Sequence, residues 1–222
     1  MQTHGSSETR IWAVVPVKRL AMAKQRLSIA LGTHREDFAR ELAARTVATV
    51  RDSGVFHGIL VVTSDAIVSS DAEAAGAVVV VDSGDSLNDA VSLGIAAIRE
   101  RGGDVCAVVP ADLATATPSG IKRLVAEYLG LRTTVGEGAI GFVRCKEGTG
   151  TNMVFLDPRC AFHPAFGVNS FAKHLASTSG HGRELWGGEA AFDIDTTEDL
   201  NLLATKLSSA DPLSKILLRA CT

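Results

Sequence analysis

Four cations, Lys18, Arg19, Lys24 and Arg26, crowd into a short stretch directly after the apolar run Ile11–Pro16. A continuous apolar run is the signature of a strand buried on both faces. Releasing such a strand into a basic loop places cations at the carboxyl end of a sheet, where open α/β folds bind ligands. A polyphosphate suits that loop; a solvated basic turn is the plainer alternative. Asp112, in Val-Val-Pro-Ala-Asp-Leu, follows another buried run, and Asp193 and Asp195, in Phe-Asp-Ile-Asp-Thr, follow a third. Carboxylates from two strand ends, completed by phosphate oxygens and water, suit Mg²⁺. Taken singly, Asp112 merely ends a strand and Asp195 caps a helix. Capping is the expectation for Asp195, and metal binding the expectation for Asp112 and Asp193 together.

Three more stretches offer small polar groups. Gly148-Thr149-Gly150-Thr151-Asn152 reads either as a nest of amides for a phosphate or carboxylate or as a flexible turn. Phe166-Gly167-Val168-Asn169-Ser170 leads into a helix whose amino end attracts anions, with Asn169 or Ser170 as its cap and His174 one turn further on. A lone histidine is more often structural than catalytic. Residues 82–88 leave room for a base or ribose, and Asn88 either reads a nucleobase edge or makes local bonds.

The frame around these residues alternates apolar strands with amphipathic helices. Strands are expected at 58–63, 77–81, 105–109, 139–144, 152–156 and 190–194. Helices are expected at 33–53 (Phe38, Leu42, Thr46 and Val50 on one face), 70–75, 87–101, 117–129 with Pro118 in its first turn, 170–177 and 197–207. The tail over 211–222 has an apolar face suited to a neighbour or to the chain's own sheet. The pattern predicts an α/β fold with a mostly parallel sheet covered on both faces. One domain over 11–222, behind a mobile tail of residues 1–10, is the simplest organisation.

The totals narrow the function. The chain has 222 residues, 46% of them hydrophobic, enough for a sizeable core. A net charge of -3 gives no general attraction for nucleic acid. Cys106, Cys145, Cys160 and Cys221 are far apart and form no CxxC pair, which points to a reducing compartment. The polar amino terminus and the lack of a long apolar run imply neither signal peptide nor membrane span, so a cytoplasmic protein is expected. No GxGxxG, GxxxxGK[ST] or G-x-S-x-G is present.

The ordered set PVKRL-x3-K-x-RL, D-x-G-x-x-LN, PADL, GTGTN, FG-x2-S-x3-H and DIDT-x-EDL runs from Pro16 to Leu200. It resembles the guanylyltransferases of coenzyme F-420 biosynthesis that act on 2-phospho-L-lactate or phosphoenolpyruvate. The resemblance implies a three-layer α/β/α Rossmann-like sandwich of the nucleotide-diphospho-sugar transferase type. It implies Lys18, Lys24 and Arg26 on the phosphates of GTP, Asn88 near the guanine, and Asp112 and Asp193 on Mg²⁺. Thr151, Gly167 and Ser170 would bind a phosphorylated three-carbon acid, and Lys18, Lys24 and Asp112 would be the catalytic groups. The sequence departs from the pattern at Ala114, where many relatives have proline, and at Asp85-Ser86, where they are richer in glycine.

The implied reaction joins GMP from GTP to phosphoenolpyruvate, 2-phospho-L-lactate or 3-phosphoglycerate and releases pyrophosphate. A phosphate monoester is already anionic near neutral pH, so no general base is needed. The product would pass to the deazaflavin-side transferase of the same pathway, and a homodimer is compatible with the chain. The alternatives are a cytidylyltransferase or molybdopterin guanylyltransferase of the same fold, a nucleotide-binding regulator without turnover, or a flavodoxin-like binding module.

Overall fold

The computed structural model describes residues 8–83 and 86–220. Most of the expected amino-terminal tail, together with Asp85 and Cys221, lies outside the described residues. In chain order the elements are β1 (Ile11–Pro16), α1 (Ser28–Leu31), α2 (Arg35–Asp52), β2 (Gly58–Thr63), α3 (Ala66–Ala74), β3 (Val78–Val81), α4 (Leu87–Glu100), β4 (Val105–Val108), α5 (Pro118–Val135), β5 (Ile140–Arg144), β6 (Thr151–Leu156), α6 (Ser170–Ser177), β7 (Gly182–Leu185), α7 (Thr197–Lys206) and α8 (Pro212–Ala220).

The helix starts follow local chemistry. Asp65 accepts the amides of Ile67 and Val68, so α3 begins at Ala66, earlier than its alanine-rich part suggests. Ser86 caps α4 by accepting from the Asp89 amide. Thr117 caps α5 with Pro118 in the first turn. Thr196 and Asp199 form a reciprocal capping box on α7.

The seven strands form one sheet in the order β3-β2-β1-β4-β6-β5-β7. The four strands from β3 to β4 run parallel. β6 is antiparallel to both its neighbours, and β7 is parallel to β5. Alternate side chains of the sheet feed two cores: Ala13 and Val15 pack with α2, α3 and α5, whereas Val14 packs with α4 and α6. The result is the three-layer sandwich. On one face α4 lies close against the sheet: a Cβ added at Gly94 would stand 2.5 Å from Val14 Cγ1. Among the described residues no helix is long and apolar enough to cross a membrane.

Two expectations are corrected. The last strand is β7, not residues 190–194; Gly188–Ala191 is instead a 3-10 turn. Gly188 takes φ +51°, which breaks any extended run there. Arg183 and Glu184, both exposed, hide the edge strand from an apolar pattern. The carboxyl-terminal helix α8 does not cover the sheet of its own chain. It packs on α2, with Leu213 fully buried among Leu27, Leu31, Phe38 and Leu42.

The reversed strand matters for function. Parallel strands deliver their carboxyl ends to one edge of the sheet. Because β6 runs the other way, it is its first residue, Thr151, that reaches that edge. The β5–β6 hairpin therefore projects its glycine-rich tip beside the ends of β1 and β4.

Candidate active site

The basic loop is fixed from outside itself. Leu20 N–H donates to Asp65 Oδ2 at 2.9 Å, and Arg19 Nε donates to Ser64 Oγ at 3.0 Å. The Arg35 guanidinium, at the start of α2, donates to the carbonyls of Leu20 (3.2 Å), Ala21 (3.0 Å) and Ala23. Within this clamp Lys24 holds a left-handed backbone, φ +50°, at a cost of about 1 kcal/mol for a residue with a Cβ. Its ammonium turns inward and donates to Asp112 Oδ2 (2.6 Å) and Asp195 Oδ1 (3.0 Å). Burial pulls the Lys24 pKa down, but the two carboxylates outweigh it and hold it above the usual lysine value. Lys18 and Arg26 remain exposed along the same cleft.

Asp112 follows β4, and Asp193 follows the 3-10 turn. Both line one cleft, and each keeps a buried Oδ1 without a hydrogen-bond partner. Burial, reinforced by the charge of Asp112, pushes the Asp193 carboxyl up to about 6. The Asp193 segment is laid in place by Lys146, whose Nζ donates to Asp193 O (3.0 Å) and to the Asp199 carboxylate. Asp199 Oδ2 in turn accepts from the amides of Asp195 and Thr196. Asp195 is therefore not the helix cap: Thr196 has that role, and Asp195 pairs with Lys24.

Among the described residues no three His, Cys, Asp or Glu side chains form a ready cage for a metal. The arrangement is an open two-carboxylate one. Its two unpartnered buried oxygens fit a hard divalent cation that completes its shell with phosphate and water.

The hairpin tip and the start of α6 form the far wall. The tip is not an open nest. The Gly148 amide donates to Cys145 O, the Gly150 amide to Cys145 Sγ, and the Thr151 amide to Ser170 Oγ. A Cβ at Gly150 would come within 2.9 Å of that sulfur, so the close approach requires glycine. The first amides of α6 are engaged as well, Ser170 with Gly167 O and Phe171 with Thr149 O. Asn169 occupies the cap position with φ +56° but makes no capping bond. Thr149, Thr151 and Ser170 bring hydroxyl groups to this wall.

Gly167 lines the same wall with φ +121°, a conformation that favours glycine. Asn88 sits at the start of α4, and its amide is engaged by the Phe166 backbone. Phe166 N–H donates to Oδ1 at 2.8 Å, and Nδ2 donates to Phe166 O at 3.4 Å. His174 is fully buried behind Thr151.

These parts form one groove. A cleft of about 510 Å³ under the basic loop and one of about 520 Å³ against the hydroxyl wall share Arg26, Asp112 and Asp195 in their linings. A smaller cleft lined by Arg19, Ser64, Asp82 and Ser86 shares Lys18 with the first. The groove thus has a cationic arm, a hydroxyl arm and carboxylates at the junction. Sequence reasoning missed Arg35, Lys146 and Asp199, which shape this groove through long-range bonds. Only the Thr-x-x-Asp spacing of the capping box marked Asp199 locally.

Comparison with known proteins bears on the family and the fold. The family model described as guanylyl transferase CofC like matches residues 11–210. Phosphoenolpyruvate guanylyltransferase of Sphaerobacter thermophilus is 35% identical over 196 residues, which cover 86% of this chain and 91% of that protein. The protein of the same name from Salinispora arenicola is 36% identical over 197 residues, covering 86% of this chain and 87% of the relative. In structure, a Desulfovibrio desulfuricans protein assigned to the nucleotide-diphospho-sugar transferases superposes with TM-score 0.70 at 11% identity, covering 96% of this chain and 95% of that one. A 4-diphosphocytidyl-2C-methyl-D-erythritol synthase superposes with TM-score 0.63 at 14% identity, covering 89% and 98%. The fold is that of the nucleotide-diphospho-sugar transferases, and the chain belongs to the CofC-like guanylyl transferase family.

Proposed function

We propose that this protein transfers GMP from GTP to a phosphorylated three-carbon acid, with phosphoenolpyruvate as the first choice of acid, and releases pyrophosphate. One observation carries the reading: Asp112, where a cationic cleft meets a hydroxyl-lined one, and Asp193, in the lining of the second, each keep a bare buried oxygen. In this reading Lys18, Lys24 and Arg26 hold the triphosphate, and Thr151, Gly167 and Ser170 hold the acid. Asn88, near the guanine in this reading, also braces Phe166 in the lining of the hydroxyl cleft. Asp112 and Asp193 would hold Mg²⁺, which supplies charge neutralisation at the phosphates when bound.

The chain's own part is alignment. It brings the phosphate oxygen of the acid in line with the α-phosphorus of GTP and supports the departing pyrophosphate with cations. No general base is needed, because the attacking phosphate is ionised near neutral pH. His174 is walled off by aromatic rings and does not reach the reacting groups.

Residues 11–222 act as one catalytic unit in this proposal, in the cytoplasm. The product goes to a transferase that joins it to the deazaflavin part of coenzyme F-420. Cytidylyl transfer, molybdopterin guanylylation and a turnover-free regulator find less support, since relatives from Sphaerobacter thermophilus, Thermomonospora curvata and Rubrobacter xylanophilus are named phosphoenolpyruvate guanylyltransferases. The test is pyrophosphate release with each nucleoside triphosphate against phosphoenolpyruvate, 2-phospho-L-lactate and 3-phosphoglycerate, with Mg²⁺. Release with GTP and phosphoenolpyruvate is expected; release with CTP alone would overturn the choice of nucleotide.

A further inference from the structure

His174 sits outside the reacting groups yet bonds to one residue of the proposed acid subsite. Its ring lies flat against Phe142, with centroids 5.7 Å apart, and edge-on to Phe166 at 4.9 Å. Both ring nitrogens are engaged. Ala165 N–H donates to Nε2 at 2.8 Å. A backbone amide has a hydrogen to give and no lone pair to offer, so Nε2 is the nitrogen without a proton. In a neutral ring the proton is then on Nδ1, which lies 2.9 Å from Thr151 Oγ1. Nδ1–H donates and the hydroxyl oxygen accepts. Burial moves the His174 pKa down to about 4, so the ring is neutral at physiological pH.

The consequence falls on Thr151. Its hydroxyl has a single hydrogen, and Nδ1–H already occupies one lone pair. Among the described residues no protein acceptor bonded to that hydrogen is recorded, and Thr151 lines the hydroxyl cleft. Ser170 is biased in the same direction. Its Oγ accepts from the Thr151 amide at 2.8 Å, leaving its own hydrogen to donate.

We propose that His174 is a positioning residue that sets the Thr151 hydroxyl as a donor to the phosphorylated acid, in a one-way series Ala165 N–H to His174 to Thr151 to anion. The inference rests on the guanylyl-transfer reading of the site. A wall of oriented donors accepts ionised carboxylate and phosphate oxygens. It leaves a ligand N–H or O–H donor at that position unmatched, so the relay selects for the anion.

Two measurements test this. Nitrogen-15 NMR of histidine-labelled wild-type protein at pH 7 is expected to show His174 as the Nδ1–H tautomer. The Nε2–H tautomer, or a protonated ring, overturns the relay whatever the enzyme's substrate. Steady-state kinetics on His174→Gln, His174→Asn, Thr151→Val and the His174→Gln/Thr151→Val double variant supply the second.

Glutamine can keep the acceptor for Ala165 but loses the donor near Nδ1, whereas asparagine can keep that donor. His174→Gln is expected to raise KM for phosphoenolpyruvate about 10-fold, the scale of one oriented hydrogen bond. KM for GTP should stay within about twofold, and His174→Asn should recover most of the loss. The double variant should be no worse than Thr151→Val alone, because both act through one hydroxyl. Equal rises in both KM values, or full additivity in the double variant, would make His174 merely structural and overturn the proposal. Failure of the wild type to use any phosphorylated acid overturns the guanylyl-transfer reading, a failure the tautomer measurement does not share.

Discussion

Asp112 gives one oxygen to Lys24 and keeps the other bare. Replacing it by asparagine keeps the shape but removes the charge that a divalent cation and Lys24 both need. Asp112→Asn is therefore expected to lower kcat at least about 1000-fold, with Tm close to wild type. A large fall in Tm would instead mark the residue as a fold determinant. His174 makes the opposite kind of statement, about stability. Its pKa is about 6.5 in an unfolded chain and about 4 in the fold. Between those values the unfolded chain binds more protons, so the contribution is complete above 6.5 and lost as pH falls toward 4. The size is up to roughly 3 kcal/mol. Asp193, raised to about 6 in the fold, contributes a slope of opposite sign over much of that window. The His174 contribution is therefore read as the difference between urea melts of wild type and His174→Gln, with stability rising more steeply with pH in the wild type. Identical slopes would mean that the ring titrates freely in the native state.

The basic loop keeps its shape because Arg35, on α2, gathers three of its carbonyls. Arg35→Ala should release the loop without touching a substrate. We expect KM for GTP to rise about 10-fold while KM for the acid stays unchanged. Equal effects on both substrates would show that the loop serves the whole groove. The alternating strands and helices were legible because their periods of 2 and 3.6 are local properties. The placement of Lys24, Asp112, Asp193 and Thr151 at one sheet edge was legible for a related reason: each adjoins a strand end or a turn. Arg35 and Lys146 were not, since a long side chain bonding to distant backbone leaves no local spacing to read. Strand β7 escaped notice because an edge strand survives on two buried positions, Gly182 and Leu185. The hairpin tip read equally as an amide nest or a turn. The internal bonds of the Gly148, Gly150 and Thr151 amides could not be foreseen, because two of them depend on Cys145 and the third on Ser170.

Helix α8 ties the carboxyl terminus to the layer that carries the basic loop. Leu213 is buried with Leu27 and Leu31, Ile216 and Leu217 pack beside them, and Arg45 pairs with Asp211. Truncating after Ser208 should cost on the order of 4 kcal/mol from lost apolar burial and lower Tm by about 10 °C. Unchanged melting would mean that the helix only rests on the surface. The single reversed strand has its own bearing on how such proteins diversify. In the reading proposed above, the nucleotide is met by residues 16–88 and the acid by residues 151–170, with Asp112 between them. Exchanging the β5–β6 tip and the start of α6 for those of a relative would then alter the menu of acceptors while the donor stayed the same. Such a graft would have to preserve the Asn88–Phe166 amide pair and the bond from Asn152 Nδ2 to Ala190 O.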